Sequence, residues 1–363
     1  MKSPVPILNA SYRTTGDRGS FTEVSRLLTR RLAIARPPGL AMAVISGTEE
    51  RYRAYGGWAK LADSAADPVP IRTDTLFDLA SLTKVIVTVP SVLLLHQRGS
   101  WCLNDPVSKW LPDAPPSPVT LRHCLTHTSG LIPHRPFYAT YRTPAQIRAA
   151  VVAELAKAVP GGPVSYSDLN FMLLGWAVET CADAPLDTFA RRELFGPLGM
   201  ASSHFRPSSA DQSRTAATEI DGDQRTTAGI VWGEVHDGNA YALGGVSGHA
   251  GLFSDLADLQ RFAAALLRPD RHPVLSADTL QLMMSWQAQT NDDVRALGWR
   301  LQPSTWGAWP EPTIWHTGFT GTSLLISPAL DTAVVLLSNA VHPTRQLKDT
   351  AEFRATVHAA LRQ

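Results

Sequence analysis

The hydrophobic pattern changes period twice along the chain, and this order limits the possible folds more than any other feature. The spacing of apolar residues predicts a helix over 21–35. The segments "LAMAVISG" (40–47) and "ERYRAYGGWA" (50–59) then predict a β-hairpin. From Asp78 to about residue 200 the pattern is mostly helical, and helices are predicted over 81–98, 144–158 and 168–182.

Strand-like segments return near the C-terminus. The stretches "LGWRLQP", "TIWHTGF", "TSLLISP" and "TAVVLLSNA" predict strands, and a closing helix is predicted over 346–362. Before them, 201–245 has no sustained period and is predicted to be a long loop region. The segment 253–267 predicts an amphipathic helix with Ser254 or Asp255 as its N-cap.

This order predicts an α+β fold. The two ends of the chain are expected to form one antiparallel sheet covered by terminal helices, with a mainly helical lobe inserted between them. We expect a sheet domain from 1–75 and 288–363, and a helical domain with long loops from 76–287. The cleft between two such lobes is a natural place for a functional site.

Composition argues against several classes of function. The chain has 363 residues, 44% of them hydrophobic and 18% charged, and a formal net charge of +1, so no strong field favours nucleic acid or a membrane surface. The longest apolar run, 85–95, contains Pro90 and is too short to span a bilayer. The N-terminal segment lacks the apolar core of a secretory signal, so we expect a cytoplasmic protein. Cys102, Cys124 and Cys181 have no paired spacing and are predicted to be buried free thiols.

The stretch "LFDLASLTKVIVT" places Ser81 three residues before Lys84. Asp78 is a candidate N-cap, which would put Ser81 in the first helical turn, where its N–H has no intrahelical acceptor. Helical spacing brings the Lys84 amine within reach of the serine hydroxyl. A serine becomes a nucleophile when a base takes its proton, and a lysine is such a base only when its pKa is lowered. By itself this spacing is more typical of a capped helix with a surface lysine.

Two later segments carry residues that suit the same chemistry. In "VSYSDLNFMLLG", Tyr166 precedes a helical run, and a phenol beside a lysine can relay protons. Alone, Tyr166 is more typical of a packing residue with a bonded hydroxyl. In "IWHTGFTGTSLLISP", His316 lies on a strand that leads through Gly318 and Gly321 into a second strand, and these glycines would let a substrate approach closely. Alone, this segment could be a simple hairpin.

The order of these elements resembles a known family. Ser81-x-x-Lys84, Tyr166-Ser167-Asp168 and His316-Thr317-Gly318 are similar to the three elements of serine β-lactamases and penicillin-binding proteins. The tyrosine in the second element resembles class C β-lactamases, DD-peptidases and their esterase relatives. Further stretches match the same family from about residue 40 to 340: "LNDPVSKWLP", "LRHCLTHTSGL", "ELFGPLGM" and "GGVSGHAGLFSDLADLQRF".

The resemblance implies a β-lactamase/transpeptidase-like fold and an acyl-enzyme mechanism. Ser81 would attack a carbonyl, and Lys84 and Tyr166 would share the proton transfers. The N–H groups of Ser81 and Phe319 would stabilise the oxyanion. The other residues of the three elements would bind the substrate: Asp168, His316, Thr317, Gly318 and Phe319. A small-molecule substrate is implied, with neither a metal nor an organic cofactor; the oligomeric state stays open.

Two positions depart from the family pattern. The second element usually ends in asparagine, which can donate to a substrate carbonyl, whereas an ionised Asp168 cannot donate. If Asp168 lies near Lys84, it would stabilise the ammonium and make the free amine scarcer. Asn170 is two residues further along the helix and would point away. The third element begins with His316 instead of lysine, and this imidazole attracts a carboxylate strongly only when protonated.

Other polar and aromatic residues are interpreted as structural or as walls of the cleft. His123 and His127 are predicted to hold the 128–130 loop and not a metal. His249 is expected to pack near the cleft. The segment 234–240 either borders the substrate pocket or is an exposed loop, and the tryptophans expected to line the cleft are Trp232 and Trp315.

The sequence therefore predicts a serine hydrolase that forms an acyl-enzyme on Ser81. Its expected substrate is an ester or a small amide, such as a D-amino-acid peptide. A β-lactamase with weak activity is one alternative, because Asp168 argues against efficient β-lactam hydrolysis. A non-hydrolysing acyl-binding sensor, or an inactive relative, is the alternative from another class.

Overall fold

The strands form two sheets in the computed structural model, which describes residues 7–12, 18–62, 67–220, 229–291, 293–302 and 306–362. The strands are β1 (Leu8–Tyr12), β2 (Gly39–Ser46), β3 (Glu49–Lys60), β4 (Val69–Pro70), β5 (Phe77–Asp78), β6 (His204–Phe205), β7 (Leu252–Ser254), β8 (Ala288–Thr290), β9 (Asp293–Arg295), β10 (Arg300–Leu301), β11 (Ile314–Thr317), β12 (Ser323–Ser327) and β13 (Thr332–Ser338).

The helices surround these sheets. They are α1 (Arg18–Ala33), α2 (Val89–Gln97), α3 (Leu121–Leu125), α4 (Phe137–Thr140), α5 (Pro144–Ala153), α6 (Asp168–Ala182), α7 (Leu186–Ala190), α8 (Gly196–Leu198), α9 (Gly238–Ala242), α10 (Leu256–Leu266), α11 (Ala277–Met284) and α12 (Thr350–Ala360). Two π-helical turns, Lys84–Thr88 and Arg191–Phe195, precede α2 and α8.

The main sheet joins the two ends of the chain. Its strand order is β1-β3-β2-β13-β12-β11-β10-β9-β8, every neighbouring pair is antiparallel, and β4 pairs with β3. The contact between the ends is β2 with β13, in which Val44 lies opposite Val334. The predicted α+β fold with one antiparallel sheet is thus confirmed. The boundaries of the two domains stay a prediction.

Strand β2 explains why the sheet is covered on both faces. Its residues are apolar without alternation, and successive side chains point to opposite sides. Leu40, Met42 and Val44 pack with α1 and α12, whereas Ala41 and Ala43 pack with the inserted helices. Both faces of the central strands are therefore buried, as their continuous apolar sequence requires.

Helix α6 is the centre of the inserted lobe. Its residues from Leu169 to Gly175 are all buried, and the helix contacts α2, α3 and α5. At its middle, Gly175 lies against Gly248, where an added Cβ would come within 2.9 Å of the Gly248 nitrogen. This close approach places the 247–250 loop beside the first turns of the helix that follows Ser81.

The sequence predicted most of these elements. The helix predicted over 168–182 is observed at these residues, and Asp255 caps α10 by accepting from the Asp258 N–H. The 201–245 region is mainly loop, with short elements at β6 and α9; residues 221–228 lie outside the described residues. The predicted burial of the thiols is correct for Cys124 alone, since Cys102 is exposed and Cys181 is half-buried; all three are free. Over the described ranges, every helix is too short or too polar to cross a membrane.

Candidate active site

Ser81 lies on a tight turn between β5 and the helix that begins with the π-helical turn. Its neighbour Ala80 has a φ of 47°, a left-handed conformation that non-glycine residues rarely adopt. The carboxylate of Asp78 holds this turn by accepting from the Ala80 N–H at 2.8 Å and from the His236 N–H at 2.6 Å. The prediction of Asp78 as a helix N-cap is therefore wrong: it is a strand residue that fixes the turn. Ser81 precedes the helix.

Lys84 follows Ser81 by one helical turn and has no exposed side-chain surface. Its Nζ donates to Ser81 Oγ at 2.9 Å and to the His249 carbonyl at 3.1 Å. It also forms an ion pair with Asp168 Oδ1 at 2.8 Å. Burial by itself lowers the pKa of Lys84, but the Asp168 carboxylate and the nearby Tyr166 phenol outweigh it and raise this pKa. Lys84 is therefore an ammonium at neutral pH.

Asp168 begins α6 and faces the same cavity. Burial would raise the pKa of this carboxyl, but the Lys84 ammonium and the contact with His134 lower it strongly, so it is ionised. Its second oxygen, Oδ2, lies 3.3 Å from the Nδ1 of His134. The expectation that Asp168 would stabilise the Lys84 ammonium is confirmed by this geometry. Asn170 points away, as expected: its amide oxygen accepts from the Ser129 hydroxyl at 2.6 Å.

Tyr166 lies beside residues from both of the other sequence elements, Lys84 and His316. Its ring centroid is 4.6 Å from that of the buried His127 and 6.0 Å from that of His316. Two cations flank the same ring, with Lys84 Nζ at 5.1 Å and the Arg295 guanidinium carbon at 5.5 Å from its centroid. The three sequence elements that were singled out separately therefore meet in one place.

The end of β11 is fastened to the turn that carries Ser81. An added Cβ on Gly318 would lie 2.3 Å from the Leu79 carbonyl oxygen, so only glycine allows the two backbones to meet. The hydroxyl of Thr320 donates to the Asp78 carbonyl at 2.6 Å, and that of Thr322 donates to the Leu79 carbonyl at 3.1 Å. These contacts set the position of Phe319 relative to Ser81.

The two expected oxyanion donors are both available. Within the described part of the chain, the N–H groups of Ser81 and Phe319 donate to no acceptor. Both residues line the two cavities that meet at Tyr166. Two unpaired backbone N–H groups beside a reacting carbonyl are the kind of donors that stabilise an oxyanion, so Ser81 and Phe319 stay the candidates for this role.

His316 is a neutral wall of the cavity. Burial, followed by the positive charges of Lys84, Arg295 and Arg300, holds the pKa of His316 well below its usual range. Its Nδ1 lies 3.0 Å from the Thr317 carbonyl oxygen. The hypothesis that a protonated His316 attracts a substrate carboxylate is therefore not supported by its surroundings.

Positive charge comes instead from residues that the sequence analysis missed. A cavity of about 360 Å³ beside Ser81 is lined by Arg295, Arg300, Lys348 and Arg354. The side chain of Arg295 is 1% exposed and pairs with Asp293 at 2.7 Å, while its Nε and Nη1 have no partner among the described residues. A pattern could not reveal these arginines, because β9 and β10 are only three and two residues long.

A second cavity of about 350 Å³ shares Ser81, Tyr166 and Phe319 with the first. Its lining includes Tyr138, Asp168, His236 and Asp237. The 234–240 segment therefore borders the candidate site, which was one of its two interpretations.

The remaining histidines are structural. His123 completes a capping box with Thr120 at the start of α3, and His127 accepts from the Ser167 N–H at 3.1 Å. His249 lies 2.8 Å from the Ser247 hydroxyl and 3.0 Å from Asp237 Oδ1. No group of His, Cys, Asp and Glu side chains in the described ranges could hold a metal ion.

The two tryptophans expected in the cleft lie elsewhere, so that prediction is wrong. Trp315 points to the opposite face of β11 from His316 and packs on Trp306, with ring centroids 4.4 Å apart. Trp232 lies against the Lys60 ammonium and donates to the Thr215 carbonyl at 2.6 Å.

Comparisons with known proteins agree on one family. The model of the family described as "Beta-lactamase" matches residues 24–359. A protein of Escherichia coli O157:H7 named "Putative D-alanyl-D-alanine carboxypeptidase" is 32% identical over 346 residues, covering 84% of this chain and 79% of its own. Among solved structures, "EstCE1, a hydrolase with promiscuous acyltransferase activity", has a TM-score of 0.77 at 20% identity, covering 96% of this chain and 100% of its own. A class C β-lactamase mutant has a TM-score of 0.72 at 19% identity, covering 97% and 99%.

Proposed function

This chain belongs to the beta-lactamase family and is a serine hydrolase, and from that premise we propose that Ser81 forms an acyl-enzyme with a substrate whose leaving group carries a carboxylate. The preferred substrates are D-alanyl-D-alanine-type peptides or esters of the same shape. The observation that carries the proposal is the contact of Ser81 Oγ with the buried Lys84 Nζ at 2.9 Å, beside a cavity lined with arginines.

The first step is attack of Ser81 Oγ on the substrate carbonyl. Its proton passes to Lys84, which accepts it only in the amine form. The Tyr166 phenol gives its proton to the leaving nitrogen or oxygen and regains one from the Lys84 ammonium, which returns to the amine. The tetrahedral oxyanion accepts from the N–H groups of Ser81 and Phe319. The carbon–leaving-group bond then breaks, and water later hydrolyses the ester on Ser81 and regenerates the serine hydroxyl.

The cationic cavity explains the choice of leaving group. The planar fork of an arginine matches a carboxylate with two parallel hydrogen bonds. Arg295 is held by Asp293 yet keeps its Nε and Nη1 unpartnered within the described residues. Arg300 extends the positive charge from the next strand, and Thr317 adds a side chain from β11. A carboxylate on the leaving group would satisfy these donors.

A non-hydrolysing acyl sensor is the second candidate. The Lys84–Asp168 ion pair favours it, because an ammonium cannot take the proton of Ser81 or of a deacylating water. A β-lactam also carries a carboxylate, but Asp168 offers no donor to its acylamide carbonyl. We therefore expect slow β-lactam turnover.

The test combines a covalent probe with a matched substrate pair. A fluorophosphonate should add to wild type and not to Ser81→Ala in intact-mass measurements, with the far-UV spectrum of the variant unchanged. We expect D-alanyl-D-alanine to be cleaved with about tenfold or higher kcat/KM than its C-terminal amide, since a charged hydrogen bond contributes about 1.5–3 kcal/mol.

Arg300→Gln should remove this preference, while the surface control Arg98→Gln, whose partner is Glu193, should keep it. Labelling of Ser81→Ala at the wild-type rate would mean that the nucleophile is elsewhere. Equal turnover of acid and amide would reject the carboxylate subsite. A stable acyl adduct without turnover would favour the sensor.

A further inference from the structure

The second cavity has two carboxylates in its lining, Asp168 and Asp237, beside His134, His236 and Arg345; we call it the acyl-side cavity. It shares Ser81 with the arginine-lined cavity, so a substrate whose leaving group lies beside the arginines has this second cavity available for its acyl group. Burial raises the pKa of Asp237, but the His249 imidazole 3.0 Å away lowers it by more, to about 2. Asp168 and Asp237 are therefore both ionised at neutral pH.

Asp237 presents a free oxygen from a fixed position. Its Oδ1 caps α9 by accepting from the Ala240 N–H at 2.8 Å and also contacts His249 Nε2. No described residue donates to its Oδ2, and the side chain is 24% exposed. The next residue, Gly238, packs against the Tyr138 ring so closely that an added Cβ would lie 2.5 Å from it. The carboxylate is thus held rigidly with one acceptor open.

The one arginine of the acyl-side cavity lining does not neutralise this pair of carboxylates. Arg345 is paired with Glu219, whose Oε2 accepts from its Nε at 2.6 Å and from its Nη2 at 2.5 Å. His134 contacts Asp168 from the exposed side. Asp168 already pairs with the Lys84 ammonium and Asp237 Oδ1 with His249, so the acceptor left open to a substrate cation is Asp237 Oδ2.

We propose that the enzyme selects acyl groups with a free, protonated amine next to the reacting carbonyl, which Asp168 and Asp237 receive. This inference rests on the proposed acyl transfer by Ser81. The nitrogen of an α-amine is two bonds from the carbonyl carbon that Ser81 attacks. The Asp168 carboxylate is also close to Ser81, because the Lys84 Nζ contacts both Asp168 Oδ1 and Ser81 Oγ. An N-acylated substrate would instead bring a carbonyl oxygen towards carboxylates that can only accept.

This arrangement also links substrate choice to the reactivity of Lys84. An ammonium bound at Asp168 places a second positive charge beside Lys84, and a like charge disfavours the protonated lysine. The selected substrate would therefore help to release the amine that Ser81 needs. A blocked substrate leaves the Lys84–Asp168 ion pair undisturbed.

The test compares D-alanyl-D-alanine with N-acetyl-D-alanyl-D-alanine, which differ only in the amine. We expect wild type to have about tenfold or higher kcat/KM for the free amine, the effect of one charged hydrogen bond. Asp237→Asn should reduce the ratio of kcat/KM for the free amine to kcat/KM for the acetylated peptide about tenfold. Asparagine caps helices as well as aspartate, so α9 is kept. The exposed Asp278→Asn serves as the control.

A second measurement does not depend on turnover. D-alaninamide should slow fluorophosphonate labelling of wild type at a lower concentration than N-acetyl-D-alaninamide, and Asp237→Asn should lose this difference. Labelling of Ser81 without any preference for the amine, or a preference that survives in Asp237→Asn, would overturn the amine subsite alone. An absence of labelling in wild type would instead overturn the proposed acyl transfer.

Discussion

Asp168→Asn tests the ion pair at the centre of the site. The Lys84 ammonium is fully buried, and its contact with Asp168 Oδ1 at 2.8 Å is the main reason that its pKa is raised against the effect of burial. Without the carboxylate charge, burial lowers the pKa of Lys84, so the free amine becomes common at a lower pH. We expect the acid limb of the rate profile to move towards lower pH.

The size of this shift follows from the geometry. Two unit charges about 4 Å apart in a medium of effective dielectric about 20 attract by about 4 kcal/mol. Because the Asp168 side chain is 18% exposed, we take about half of this energy as lost on substitution. About 2 kcal/mol corresponds to about 1.5 pH units, or about a thirtyfold faster reaction at a pH below the limb.

The assay is the rate of fluorophosphonate labelling of Ser81 from pH 6 to 9.5, with p-nitrophenyl acetate turnover as a second readout. Because the raised pKa of Lys84 lies above this range, the shift of the limb is measured as a faster rate at each pH. Neither reagent carries a charge that titrates in this range. Asp113→Asn, which removes a surface partner of Arg148, should leave the profile unchanged. An acid limb that stays in place in Asp168→Asn, or moves to higher pH, would refute the role given to the ion pair. The same variant should also gain activity on N-acylated amides, since asparagine can donate to their carbonyl.

Two further predictions concern the frame of the site. Gly318→Ala should push β11 away from the Leu79 backbone, because a Cβ would lie 2.3 Å from the Leu79 oxygen; we expect the stability to fall by about 1–3 kcal/mol and the labelling of Ser81 to slow. Gly162→Ala, with open space around it, should change neither the stability nor the labelling. Normal labelling in Gly318→Ala would contradict the role given to this close contact. Glu219→Gln should lower thermal stability at pH 7 by about 1–2 kcal/mol, since burial raises the pKa of Glu219 but His236 and Arg345 lower it to about 2. A carboxyl whose pKa is lower in the folded than in the unfolded state stabilises the fold above the unfolded pKa. The difference in stability between Glu219→Gln and wild type should therefore shrink as the pH falls from about 4 to 2. A stability difference that stays constant over this range would reject the role of the Glu219 charge.

Local patterns predicted the fold well because its elements have clear periods. The continuous apolar sequences of β2 and β13 pair at the centre of the sheet, and α6 begins at Asp168 as expected. The meeting of Ser81, Lys84, Tyr166 and His316 was expected from motif order. That order is a resemblance to a family, and spacing alone would have left each motif with an ordinary structural interpretation.

The residues of the proposed subsites were predicted only in part, because the 234–240 segment was one candidate for the pocket border whereas the arginines were not anticipated. Arg295 and Arg300 lie on strands too short to show a period, and Asp237 reaches the cavity through a loop held by contacts distant in sequence. The error at Trp315 was avoidable. Neighbouring strand residues point to opposite faces, so a His316 in the cavity excludes Trp315 from it.

The two halves of the cavity together define how a substrate can lie. In the proposed binding mode the leaving group lies beside the arginines and the acyl group beside the carboxylates, and Ser81 lines both cavities. A zwitterion of dipeptide length places its carboxylate and its ammonium on opposite sides of one scissile bond, and the reversed orientation would set like charges against each other at both ends. The charge separation therefore fixes the orientation of a short unblocked dipeptide. It gives no such advantage to a longer chain blocked at its amine, because that chain can use only the arginine side.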